Sequence, residues 1–147
     1  MSAEIPTIET REEVMFFDTD CGGVVHNIAY LRMIETARTK LGQAMGMGLR
    51  EMADREEFAV VLRTEIDYRR PAKLADQLTI RGKLESLERV RFWVSFEVWR
   101  EEDESLLITC RQQLAQVKMP DGKPMRLPKD WMERFGPALT EVQKEGV

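Results

Sequence analysis

From Glu57 to Met119 the chain alternates apolar and polar residues with a period of two. Phe58, Val60, Leu62, Ile66 and Tyr68 alternate with Arg63, Glu65, Asp67 and Arg69. Leu74, Leu78, Ile80, Gly82 and Leu84 alternate with Thr79, Arg81, Lys83 and Glu85. Phe92, Val94, Phe96 and Val98 alternate with Arg91, Ser95 and Glu97. This period predicts strands with one face buried. A further strand, with a less clean face, is expected from Ser105 to Met119. "RRPAKLAD" and "REEDES" read as links and "PDGKP" as a stop. Short links between half-buried strands predict an antiparallel sheet.

Upstream the period lengthens. Ile28, Leu31, Ile34, Leu41 and Met45 recur at helical spacing, which predicts a helix from Ile28 to Met45. Asn27 is a good N-cap and "GMG", Gly46 to Gly48, a good stop. Glu35 and Arg38 lie one turn apart and are expected to pair. Thr10 to Phe17 reads as a first strand and Leu49 to Arg55 as a short helical piece. A terminal helix is expected between Leu127 and Val142, after Pro128. The architecture is then α+β: one domain over residues 1–147, a long central helix against a five-stranded antiparallel sheet, and a C-terminal helix. Trp93 and Trp99 fall on the outward sheet face. Their cover is expected to be a partner subunit or the terminal helix folded back.

The chain has 147 residues, 33% charged, with a net charge of −4. That balance argues against nucleic acid as a partner. Neither Cys21 nor Cys110 belongs to a C-x-x-C or metal-spaced set, and a reducing cytoplasm is the simplest setting. The acidic start "MSAEIPTIETREE" is not a signal peptide, and no 18-residue apolar run predicts a membrane span.

The chemistry concentrates in "FFDTDCGGVVHNIAYLRMIETAR", Phe16 to Arg38. Two aspartates and two glycines precede a helix start, where N–H groups are unpaired and the dipole is positive. Such amides polarise a carbonyl oxygen, and a nearby carboxylate attacks the carbonyl carbon or takes a proton from water. The plain alternative is a Gly-rich turn with Asx bonds. An EF-hand loop fails at Gly22 and Ala29. "VMFFDTD" resembles the first motif of haloacid dehalogenase-type phosphatases, but Gly22 and the antiparallel sheet depart from that family. No G-x-S-x-G, H-E-x-x-H or Cys/His cluster is present, so no metal or other cofactor is expected. Cys21 and Cys110 read as packing residues. His26 reads either as a base or as a locally bonded loop residue.

"DTDCGGVVHNIAYLRMIETAR" resembles the signature of hotdog-fold acyl-CoA thioesterases of the 4-hydroxybenzoyl-CoA thioesterase and YbgC type. The resemblance extends through "IDYRRPAKLADQLTI" and "ITCRQQLAQVKMPDGKPMRLP". It implies a helix wrapped by an antiparallel sheet, dimers joined sheet edge to sheet edge, pairing of dimers into tetramers, and active sites at the dimer interface. It implies hydrolysis of an acyl-CoA to a free acid and CoA. The catalytic carboxylate falls on Asp20, not Asp18, with the carbonyl held by backbone N–H groups of Gly23 and Val24. Val25, His26, Asn27, Tyr30 and Glu35 are expected to line or position the substrate. Arg69 and Arg70, with Lys73, are candidates for the CoA phosphates. His26-Asn27 stands where YbgC-like members carry Tyr-His. A thioesterase acting on an acyl carrier protein and a non-catalytic acyl-CoA-binding module are the alternatives.

Overall fold

The computed structural model describes residues 4–145. In chain order it holds β1 (Thr7–Glu13), a 3-10 turn (Phe16–Asp18), α1 (Asn27–Ala44), α2 (Leu49–Arg55), β2 (Glu57–Tyr68), β3 (Gln77–Leu87), β4 (Arg91–Arg100), β5 (Ser105–Lys118), β6 (Lys123–Met125) and α3 (Lys129–Glu145). The sheet runs β1-β3-β4-β5-β2, every pair antiparallel, and α1 packs across one face. This is the expected α+β hotdog plan with one strand more. The extra strand, β6, pairs with Gln116 to Lys118 of β5 just past Ala115, where β4 stops.

Alternation decides the burial. Leu78, Ile80 and Leu84 of β3, Phe92 to Val98 at every second position of β4, and Ile108, Cys110 and Leu114 of β5 point under α1. Each large side chain so buried stabilises the fold by about 1.5–3 kcal/mol. Gln112 and Gln116 share that inner row and are 4% exposed. They blur the strand pattern, and their amides are bonded except for Gln116 Oε1, which has no donor among the described residues. Arg38 donates to Gln112 Oε1 at 2.8 Å, Gln112 donates to Thr64 at 3.2 Å, and Gln116 donates to Glu57 at 3.5 Å.

Three expectations need correction. The first strand lies at Thr7–Glu13, not Thr10 to Phe17, because Met15 to Asp18 turn back through a Met15 N–H bond to Asp18 Oδ2 of 3.0 Å. The buried stripe of α1 is Ala29, Tyr30, Met33, Ile34, Ala37 and Leu41, which leaves Ile28 74% and Leu31 37% exposed. The turn before the helix sets that phase. Finally, α3 does not cover the outward tryptophans. Trp131 donates to the Met45 carbonyl at 3.0 Å and meets Phe92 edge-on, on the α1 side of the sheet. Outside, guanidinium groups lie over the rings: Arg111 is 4.2 Å from the Trp93 centroid and Arg81 is 5.7 Å from that of Trp99. Arg111 also pairs with Glu65 and Glu85, each at 2.9 Å.

The two sheet edges differ. β1 carries Glu9, Arg11, Glu12 and Glu13, charges that discourage pairing with another chain. β2 exposes Val60, Val61 and Leu62 in a row, with a bulge between Val61 and Arg63.

Candidate active site

The segment from β1 to α1 is bonded along its length. Asp18 is 1% exposed. Its carboxylate accepts from the Met15 amide and stands 3.7 Å from Arg32, while its carbonyl accepts from the His26 amide at 3.0 Å. Asp18 therefore holds the loop. Asp20 faces solvent. Its Oδ1 accepts from the Gly22 amide at 2.8 Å, an Asx turn that fixes the carboxylate and leaves Oδ2 without a protein donor among the described residues. A Cβ at residue 22 would sit 3.2 Å from that same Oδ1, and Gly23 takes φ +77, so both glycines suit the turn.

The amides then divide. Gly23 N–H donates to the Asp20 carbonyl at 3.1 Å and Val25 N–H to the Ala72 carbonyl at 2.9 Å. Val24 N–H has no acceptor among the described residues, nor do Asn27 and Ile28 in the first turn of α1. The helix cap is His26, not Asn27. Its Nδ1 accepts from the Ala29 amide at 3.2 Å and its Nε2 lies 3.3 Å from the Phe17 carbonyl. A neutral ring with its proton on Nε2 satisfies both bonds. Asn27 is the first helical residue and is exposed.

Residues 71–76, read from the sequence only as a link, form the back wall. Ala72 N–H donates to the Tyr30 hydroxyl at 2.8 Å, and residues 24 and 73 form a bridge. Burial raises the Tyr30 pKa and keeps the phenol neutral. Arg100 donates to the Pro71 carbonyl at 3.2 Å and to Asp76 at 3.4 Å, which fastens this wall to β4. Only the Pro-Ala turn itself hinted at the wall in sequence.

A cleft of about 860 Å³ opens at the helix start. It brings together Asp20, Val24, Val25, His26, Asn27, Tyr30, Arg69 and Arg70, with Ile28, Tyr68 and Pro71 added. Gly23 and Lys73 contribute backbone beside it. Neither Arg69 nor Arg70 has a carboxylate partner among the described residues, unlike Arg81 and Arg111. Glu35 is not in this cleft. It stands two turns along α1, 3.6 Å from Arg38 as the spacing predicted. Cys21 is exposed rather than packed, and Cys110 is buried, its thiol pushed up to about 12 by burial. Among the described residues no cluster of three or more His, Cys, Asp and Glu is placed to hold a metal ion, and no helix is long and apolar enough to cross a membrane.

An exposed carboxylate fixed through one oxygen and helix-start amides without acceptors line one cleft, set on a helix-wrapping antiparallel sheet. The profile of the Thioesterase-like superfamily matches residues 14–135. The acyl-CoA thioester hydrolase YbgC of Escherichia coli O6:H1 is 31% identical over 123 residues, spanning 83% of this chain and 90% of that protein. The acyl-CoA thioesterase YbgC of Haemophilus influenzae is 29% identical, across 83% and 89% respectively. The DHNA-CoA thioesterase structure from Staphylococcus aureus superposes with a TM-score of 0.83 over 96% of this chain and 95% of that one; at 22% identity it attests the fold. The chain belongs to the thioesterase-like superfamily. It is a hotdog-fold enzyme of the thioesterase class.

Proposed function

We propose that the protein hydrolyses acyl-CoA thioesters at the helix-start cleft, with Asp20 as the catalytic carboxylate. The supporting observation is the pairing of a carboxylate held through one oxygen with amides that lack acceptors. The thioester oxygen would sit against the Val24 amide and the first turn of α1, where donors and dipole stabilise the developing oxyanion. Asp20 acts in one of two ways. As a base it takes a proton from water, whose oxygen adds to the carbonyl carbon. As a nucleophile it adds directly, and water later cleaves the resulting anhydride. On either route the C–S bond breaks, the sulfur leaves as a thiolate that takes up a proton, and a carboxylic acid remains. Gly23 shapes the turn rather than donating, since its amide already has an acceptor. Arg69 and Arg70, exposed and without carboxylate partners, suit the phosphates of CoA.

We further read the active unit as a two-fold dimer joined through β2, the edge that exposes three successive aliphatic residues, Val60 to Leu62. Antiparallel pairing about the strand's midpoint sets the Tyr68 end of one copy against the Glu57 end of the other. In that register Arg63, Glu65 and Asp67 lie opposite Leu62, Val60 and Phe58, so no like charges meet.

The test is thiol release from short, long and aromatic acyl-CoAs. Asp20→Ala and Asp20→Asn should each lose at least about 100-fold in turnover while melting like the wild type. Asp18→Asn should instead lower the melting temperature, because a buried acceptor is lost. Full activity in folded Asp20→Ala protein would remove the assignment. An acidic acyl carrier protein is the alternative donor; Arg69→Ala with Arg70→Ala would then impair the carrier reaction and spare small thioesters.

A further inference from the structure

The free Val24 amide owes its place to two backbone bonds. Val25 N–H donates to the Ala72 carbonyl at 2.9 Å and Leu74 N–H to the Gly23 carbonyl at 3.2 Å. These bonds flank Val24 and Lys73, the two residues of the bridge. In an antiparallel pair, residues placed between two such bonds turn their own N–H and C=O away from the partner. The Val24 carbonyl accordingly accepts from the Asp20 amide at 2.9 Å, and the Val24 N–H has no acceptor among the described residues. Whatever fixes residues 72 to 74 therefore fixes the free amide.

Residues 71–76 lie between β2 and β3 and belong to neither. Ala75 takes φ +72, a left-handed conformation that a residue with a Cβ holds only when its surroundings impose it. Arg100 supplies that hold. Its side chain is only 17% exposed. Nη1 donates to the Pro71 carbonyl at 3.2 Å and to Asp76 Oδ2 at 3.4 Å, and Asp76 Oδ2 also accepts from the Lys73 amide at 2.9 Å. Nε and Nη2 donate to the two carboxylate oxygens of Asp103, each at 3.0 Å, and Asp103 accepts from the Ser105 amide at 3.2 Å. One edge of the guanidinium is thus locked by the β4–β5 turn while the other grips both ends of the wall. A planar fork of donors can do this; a point-like ammonium cannot do it as well.

We infer that Arg100 is a positioning residue for turnover: through Pro71 and Asp76 it sets where the Val24 N–H meets the developing oxyanion, without itself touching substrate. The inference rests on the thioesterase reading of the Asp20 cleft. Neither Arg100 nor Asp103 lines that cleft. A group displaced by about 1 Å can cost roughly 100-fold in rate. Because the oxyanion exists only at the transition state, the loss falls on kcat and leaves KM in place.

The test measures kcat and KM for thiol release on whichever of acetyl-, palmitoyl- and benzoyl-CoA the wild type cleaves best. Arg100→Met should lower kcat by about 10- to 100-fold with KM unchanged. Arg100→Lys should recover part of that loss, and Asp103→Ala, which frees one edge of the guanidinium, should lose less than Arg100→Met. Arg81→Met removes a guanidinium from the same sheet that bonds Glu9 and no part of the wall, and should keep its kcat. Amide hydrogen exchange gives a second readout. In Arg100→Met the Val25 and Leu74 amides should exchange at least about tenfold faster while Ile80 in β3 is unchanged, the mark of a local opening. If Arg100→Met fails to fold, Asp103→Ala carries the test by the same two readouts. Wild-type kcat in either folded variant overturns the inference, as does a loss confined to KM, an equal loss in Arg81→Met, or exchange that quickens as much at Ile80. Each of these results leaves the hydrolase intact. No thiol release from any of the three thioesters by the wild type overturns the hydrolase reading and the positioning role with it.

Discussion

His26 shows how one side chain can be read as chemistry and turn out to hold a backbone. It and Asn27 are neighbours, and Asn is the better cap by propensity. The chain caps one residue earlier because the residue 19–25 bridge and the His26 amide bond to Asp18 fix where it turns into the helix. No propensity scale carries that information. The Asx turn at Asp20 was legible because it is local: the acceptor, the amide and the glycine lie within three residues. The cap leads to a separable prediction. His26→Ala should cost about 1 kcal/mol of stability and reduce turnover through a displaced helix start. His26→Asn, which restores a capping side chain, should recover both. A thermal melt and a thiol-release assay on the two variants decide this. If His26→Asn is as inactive as His26→Ala yet melts like the wild type, the ring is doing chemistry and the cap is incidental.

At the scale of elements, period-two alternation located β3, β4 and β5 by the face each buries, and it also located β2, although no residue of that edge strand is fully buried. It failed where the burial was indirect. β5 looked irregular because Gln112 and Gln116 occupy inner positions, and their partners Arg38, Thr64 and Glu57 come from elements remote in sequence. β6 was invisible: three residues that pair only because β5 outlasts β4 carry no period at all. Gly82 is the opposite case, a residue counted correctly among the inner row of β3 for a reason the pattern does not contain. A Cβ there would meet the Phe96 ring at 2.7 Å and Ile8 at 3.3 Å. The aromatic ring lies over the bare backbone and lets β1 close against β3. Gly82→Ala should therefore destabilise the fold by about 1–3 kcal/mol through overpacking. A denaturant melt measures it. A change within about 0.5 kcal/mol, the range of an unremarkable surface substitution, would mean that the ring has room to move and that the close approach is not structural.

For the whole molecule the unequal sheet edges carry the most weight. An edge strand with three exposed aliphatic residues in its middle is an invitation to pair, whereas the charged β1 edge is defended. The Asp20 cleft lies at the Tyr68 end of β2 and a smaller apolar cavity at the Phe58 end, and on the dimer reading proposed above the neighbouring copy completes each cleft. Leu62 offers a clean way to test that. It lies at the bulge, is 48% exposed and has no residue opposite it on β5, so substitution should disturb the isolated chain little. In the proposed pairing Leu62→Lys places a cation opposite Arg63 of the other copy, twice per dimer. Light scattering on a sizing column should then show the mass fall from two chains to one, with an unchanged far-ultraviolet spectrum and a loss of thiol release of at least tenfold. Leu62→Glu, made alone, should instead keep both mass and activity, because each new carboxylate then lies opposite Arg63 of the other copy. A wild type that runs as one chain with full activity, or a Leu62→Lys protein that stays paired and active, would place the complete site within a single subunit.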